Sequence, residues 1–215
     1  MRHRTEDQVT LLLLRHGETQ ANREYRYLGR TDEPLCASGI EILLSCQEQN
    51  RYPDIEYLFV SPMKRCLETA RILYPRLSPV VISEWREMDF GQFEYKNYED
   101  LKNDIEYQTW IESGGELDFP EGESREDFIL RCELGFRRMC ETLCRMTAEA
   151  TEESASVGVI AHGGTIMALL SSYGGKSYFD CQRATGRGYL CRMEGWRQDA
   201  SSGDEPVKIE VVAEI

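Results

Sequence analysis

Four short stretches hold the groups most able to do chemistry: Arg15-His16-Gly17-Glu18-Thr19, Ser61-Pro62 with Arg65, residues 84–87 ending in Glu87, and His162-Gly163-Gly164. Each follows directly on a mostly aliphatic run, at 9–14, 57–60, 79–82 and 157–161 respectively. If those runs are strands of one parallel sheet, their carboxyl ends share a rim, which is where such sheets bind ligands. Two histidines and two arginines then converge. One histidine at a strand end is more often a hydrogen-bonded structural residue than a catalyst; two at corresponding ends shift that balance. Arg65 adds to it, because it lies about 200° around a helix of 3.6 residues per turn from Met63, off the apolar stripe. It also falls in the first turn, where the helix dipole disfavours a cation. A nearby anion removes that conflict. Taken singly, Arg65 reads equally well as a solvated arginine, and Arg15 as an ion-pair partner of Glu18.

A phosphoryl group would use all four together. Arginine presents a planar fork that matches phosphate oxygens, and the backbone N–H groups of Gly163 and Gly164, opening a helix, add an anion site. A neutral imidazole is a competent nucleophile near pH 7 once a carbonyl or side chain fixes its tautomer. The third histidine, His3, sits in a polar tail and has no comparable claim.

The elements that must hold these groups alternate. Residues 9–14 suit a strand buried on both faces. Ser38-Gly39-Ile40-Glu41 reads as a capping box, with Ile40, Leu43 and Leu44 as the stripe of the helix behind it. From Met63 the apolar positions 63, 66, 67, 70, 73 and 74 mark an amphipathic helix. Ser124 opens a long helix with an apolar face at 128, 132, 135, 136, 139, 140 and 143, closed by a solvated loop at 149–156. A short helix starts at Gly164, and 188–193 and 207–212 read as closing strands. This pattern predicts a three-layer α/β/α sandwich with a mainly parallel sheet. The stretch 95–123, polar and rich in Tyr, Trp and Gly, reads as a small lid insertion within a single domain spanning 1–215. Its Tyr95, Tyr98, Tyr107 and Trp110 either stack on a substrate or pack a small core of their own.

Length fits one domain: 215 residues with 41% hydrophobic side chains supply one sizeable core. Lys+Arg 25 against Asp+Glu 38 leaves a net charge of −13 with no basic block, which argues against nucleic acid as a partner. Close arginines still outweigh distant, screened carboxylates in the local field. No apolar run approaches a bilayer span and residues 1–8 are too polar for a signal peptide, so the expectation is a cytoplasmic protein without a membrane partner. The eight cysteines include no C-x-x-C pair and read as reduced thiols, Cys132 and Cys140 as small buried hydrophobes. No spacing of His, Cys and carboxylates suggests a metal. None of these features encodes an oligomeric state.

The ordered pieces Leu-Arg-His-Gly-Glu-Thr at 14–19, Asn22, the segment 27–35 with Gly39, Ser-Pro-Met-Lys-Arg at 61–65 with Thr69-Ala70, Arg-Glu-Met-Asp-Phe-Gly at 86–91, Gly122-Glu123-Ser124 and Ala-His-Gly-Gly at 161–164 resemble the histidine phosphatase superfamily, the phosphoglycerate-mutase-like proteins. The resemblance implies that His16 attacks phosphorus and becomes phosphohistidine while Arg15, Arg65 and His162 hold the phosphoryl oxygens. It places Thr19, Asn22, Gly29 and Gly163 among the substrate-binding residues and matches Glu87 to the family's proton donor, with Asp89 and Glu123 as rival acids. It implies neither cofactor nor metal.

Mutases of the family carry Glu-Arg-His-Tyr-Gly at the donor, whereas here stands Glu87-Met88-Asp89-Phe90-Gly91. That departure is similar to the phosphatase branch, including the alpha-ribazole phosphatases. The resulting expectation is a metal-independent phosphomonoester hydrolase for a small phosphorylated metabolite, with alpha-ribazole phosphate as a candidate. The alternatives are a phosphoglycerate mutase and a binding module that recognises a phosphorylated ligand without turnover. Binding alone has no use for a positioned acid.

Overall fold

The computed structural model describes residues 8–148, 154–197 and 207–215. His3 and residues 149–153 of the expected loop lie outside them. Six strands, β1 (Gln8–Arg15), β2 (Tyr57–Val60), β3 (Val80–Val81), β4 (Ser154–Ala161), β5 (Gly188–Glu194) and β6 (Lys208–Glu214), form one sheet in the order β3-β2-β4-β1-β5-β6. The pairs β1/β4, β2/β4 and β2/β3 are parallel, and β1/β5 and β5/β6 antiparallel. The sheet is thus mostly parallel, with an antiparallel margin built by the closing strands.

Alternation along β1 builds the layers. Leu11 and Leu13 enter one apolar cluster together with Phe128, Phe136 and Leu143 of α6 (Arg125–Met146) and Ile166 and Leu169 of α7 (Gly163–Tyr173). Leu12 and Leu14 point the other way, into a cluster with Leu43 of α2 (Ala37–Glu48) and Cys66, Ala70 and Leu73 of α3 (Lys64–Leu73). A strand that serves two cores must be aliphatic at every position, and residues 11–14 are. In α6 the buried positions are 128, 132, 135, 136, 139, 140 and 143, the full predicted face, and Ser124 Oγ caps the helix by accepting from Asp127 N–H at 3.0 Å. Such a cap is worth ~1 kcal/mol.

Some elements differ from expectation. α2 begins at Ala37 behind Cys36, and Ser38 caps nothing: its hydroxyl donates to Glu18 at 3.2 Å. Of its expected stripe only Leu43 is buried, with Ile40 and Leu44 exposed. β3 shrinks to two residues, and β4 starts at Ser154 rather than Val157, because its register with β1 begins at Gln8 opposite Ser154.

The insertion folds as α4 (Tyr98–Leu101) and α5 (Ile105–Glu112) over a separate aromatic cluster. Phe93, Leu101 and Tyr107 are buried there, with Tyr27, Phe90, Trp110 and Phe119 packed around them. Among the described residues no helix is long and apolar enough to cross a membrane.

Candidate active site

His16 follows β1, and its N–H donates to Ala161 O at 2.9 Å, which locks the end of β1 to the end of β4. His16 Nδ1 lies 2.7 Å from Gly17 O. A carbonyl can only accept, so Nδ1 carries the ring proton and Nε2 keeps its lone pair. The loop is braced from α3: Gly17 N–H donates to Thr69 Oγ1 at 3.0 Å, and Thr69 Oγ1 donates to Arg65 O at 2.7 Å.

His162 precedes α7, and its ring stands edge-on to that of His16 with centroids 5.2 Å apart. Its Nε2 lies 2.7 Å from Ser61 Oγ, which accepts from Met63 N–H at 3.4 Å. The serine oxygen has both a proton and a second lone pair for Nε2, and His162 Nδ1 faces Glu87 Oε2 at 3.9 Å. Burial, followed by the positive charges of Arg65 and Arg15, pushes His16 well below the ordinary histidine range; for His162 burial again leads, with Arg65 next. Both rings are neutral near pH 7. With the imidazole uncharged, the contact between His162 and Glu87 is not an ion pair.

Arg65 is fully buried. Its Nη2 donates to Gly29 O at 3.0 Å and its Nη1 to Thr31 O at 2.9 Å. Arg15 Nη1 donates to Arg183 O at 2.7 Å, so Glu18 is not its partner. The Nε atoms of Arg15 and Arg65 are buried without a hydrogen bond in the described structure.

Glu87 follows the short 3-10 turn Ser83–Trp85, with its side chain 11% exposed. Burial raises its pKa; the Met88 N–H that it accepts at 3.0 Å and the arginines 65, 15 and 131 pull the other way. The rival acids are differently engaged. Glu123 is held by Arg131 through two bonds of 2.8 and 2.7 Å, and Asp89 accepts from Gly91 N–H and pairs with Arg30.

These groups border a cleft of about 400 Å³. Arg15, His16, Asn22, Glu87 and Gly163 are on its wall. Arg65, His162, Thr19 and Gly29 stand behind it: Thr19 is buried and hydrogen-bonded to Asn22, and Gly29 lends its carbonyl to Arg65. The wall also carries apolar side chains, among them Tyr27, Phe90, Trp110, Leu117, Phe119 and Met167, and includes Arg26, Arg125, Tyr178 and Phe179. Of the four lid aromatics, Trp110 alone reaches the wall; Tyr107 packs the lid core, and Tyr95 and Tyr98 are exposed. Sequence reasoning missed the contribution of residues 167–182, whose only signal was the adjacent pair Tyr178-Phe179 in a polar stretch. Among the described residues no cluster of three or more His, Cys, Asp or Glu side chains could hold a metal ion.

Comparison with known proteins places this geometry. Residues 11–189 match the family model described as histidine phosphatase superfamily (branch 1). The adenosylcobalamin/alpha-ribazole phosphatase of Escherichia coli (strain K12) is 31% identical over 167 residues, 76% of this chain and 78% of that one. A "probable phosphoglycerate mutase" of Enterobacter sp. (strain 638) is 31% identical over a shorter stretch, 57% of this chain and 59% of its own. Among solved structures, the alpha-ribazole phosphatase from Shigella flexneri shares the fold with a TM-score of 0.71 at 23% identity, covering 94% of this chain and 95% of that one.

Proposed function

This chain belongs to branch 1 of the histidine phosphatase superfamily, and from that membership and its likeness to a phosphatase over three quarters of its length we propose that the protein hydrolyses a small phosphomonoester through a phosphohistidine on His16. One observation carries the reading: His16, with Nε2 free of a proton, borders the cleft together with Arg15, with the buried Arg65 behind it, both arginines holding spare Nε donors, and with a largely enclosed carboxyl group whose pKa is raised.

In the first step Nε2 attacks phosphorus, the ester P–O bond breaks, and Glu87 gives its proton to the departing alkoxide oxygen. Charge building on the phosphoryl oxygens is met by Arg15, Arg65, the ring of His162 and the N–H of Gly163 at the start of α7. In the second step water attacks the phosphorus and passes a proton to the Glu87 carboxylate, the N–P bond breaks, and inorganic phosphate leaves. Asn22 contributes its amide at the wall, while Thr19 fixes Asn22 and Gly29 fixes Arg65. Every cationic group is a side chain, so the scheme needs no metal.

Alpha-ribazole phosphate is the substrate that the E. coli relative supports, and the apolar, aromatic side chains on the cleft wall suit a flat organic group of that size. Phosphoglycerate isomerisation is the weaker reading, since the mutase relatives match little more than half of the chain. Buried unpaired thiols such as Cys66 and Cys132 favour the reducing cytoplasm. The test is His16→Ala with trapping of acid-labile phosphoenzyme: turnover and label both vanish if His16 is the nucleophile, and undiminished hydrolysis refutes it. Assaying alpha-ribazole phosphate and 3-phosphoglycerate side by side then separates phosphatase from mutase.

A further inference from the structure

We propose that Glu94, outside the reacting groups, is a positioning residue that sets Arg65 through the backbone of residues 29–31. The inference rests on the phosphatase reading above, because it assigns Arg65 to the phosphoryl group.

The connection is continuous. Glu94 Oε1 accepts from Gly29 N–H at 3.1 Å and from Thr31 N–H at 2.9 Å, and Oε2 accepts from Gly29 N–H at 3.2 Å. The carbonyls of those same two residues receive Arg65 Nη2 and Nη1. A carboxylate thus grips the donors of a three-residue loop while a guanidinium grips its acceptors, and the peptide dipoles between them are aligned by charge at both ends. Among the described residues Arg65 forms no ion pair with a carboxylate. The orientation of this buried cation depends on two carbonyls, and their direction depends on Glu94.

Gly29 makes the arrangement possible. A Cβ there would stand 2.8 Å from Glu94 Oε2 and would overlap Met88 O, so only glycine lets the loop lie this close to the carboxylate. Glu94 is itself fixed, since the next residue donates from Tyr95 N–H to Tyr27 O at 2.7 Å and Tyr27 N–H donates to Lys96 O at 2.9 Å. Removing the carboxylate leaves two N–H groups without their acceptor and frees the loop to turn its carbonyls away from Arg65.

A double-mutant cycle on kcat/KM for p-nitrophenyl phosphate and on inhibition by inorganic phosphate tests this. Glu94→Ala is expected to lower kcat/KM and weaken phosphate inhibition by up to about 10²-fold, the scale of a misplaced contact. In an Arg65→Ala background the same substitution should cost about twofold or less, because the residue through which it acts is gone. Equal losses in both backgrounds, or no loss from Glu94→Ala alone, overturn the proposal. Full activity of Arg65→Ala instead overturns the assignment of Arg65, a different failure. If Glu94→Ala does not fold by thermal melting, Glu94→Asp, whose shorter side chain draws the carboxylate back from both N–H groups, runs the same cycle with the same criteria.

Discussion

Burial acts in opposite directions on the groups whose protons matter. With ordinary values of 4.5 for Glu87 and 6.5 for His16, the carboxyl group would lose its proton before the imidazole lost its own, and a protonated acid beside a neutral nucleophile would be scarce at every pH. Lowering His16 and raising Glu87 brings the two states into coexistence. The expected kcat/KM profile for an alkyl phosphate has its acid limb below pH 6.5, where His16 protonates, and its alkaline limb above pH 4.5, where Glu87 ionises. Glu87→Gln should abolish the alkaline limb. The same substitution should cost about 10²- to 10⁴-fold in kcat/KM with alkyl phosphates and little with p-nitrophenyl phosphate, whose leaving group needs no proton; equal losses would exclude Glu87 as the acid. At this scale the contiguous segment Arg15-His16 and the pair His162-Gly163 were legible, because a strand end fixes where its next residues go. The partners that tune them were not: Gly17 O, Arg183 O and the carbonyls of Gly29 and Thr31 are backbone atoms, which any sequence supplies.

Among the elements, α7 shows how close the packing around Glu87 is. A Cβ at Gly164 would stand 2.6 Å from Glu87 Oε1 and 3.0 Å from the Phe128 ring, which α6 holds in place. Gly164→Ala is therefore expected to displace the carboxyl group and reproduce the Glu87→Gln signature, a loss toward 10²-fold confined to alkyl esters; a loss shared equally with p-nitrophenyl phosphate would place the damage at His16 or the arginines instead. The helices divide by how much of their pattern is local. α6 was legible to the residue, since one face of a 22-residue helix repeats its period many times. α2 was misread because the S-x-x-E pattern ignores Glu18, which lies twenty residues earlier and captures the Ser38 hydroxyl. In α3 the expected stripe left Arg65 off the buried face, but Arg65 is buried along with Cys66, Thr69, Ala70 and Leu73, because the loop at 29–31 covers that side of the helix.

For the molecule as a whole, the aromatic cluster around Phe93 and the main core share Phe90 and Phe119, which couples the packing of the two. Phe93→Ala removes a fully buried ring from the lid core, costs about 3–5 kcal/mol and lowers Tm by about 6–20 °C. A single transition is expected to persist; a separate early transition in calorimetry would show that the lid unfolds independently. The position of β1 has one more consequence. This strand precedes the other five in the chain, yet its neighbours are β4, aligned from Ser154 onward, and β5, which reaches Met193 opposite Val9. During synthesis, the four leucines at 11–14 and His16 behind them stay without either flanking strand until residue 154 and beyond have been made. A polypeptide released before that point has an unpaired aliphatic strand and lacks His162, which makes early termination a source of aggregate rather than of partial activity.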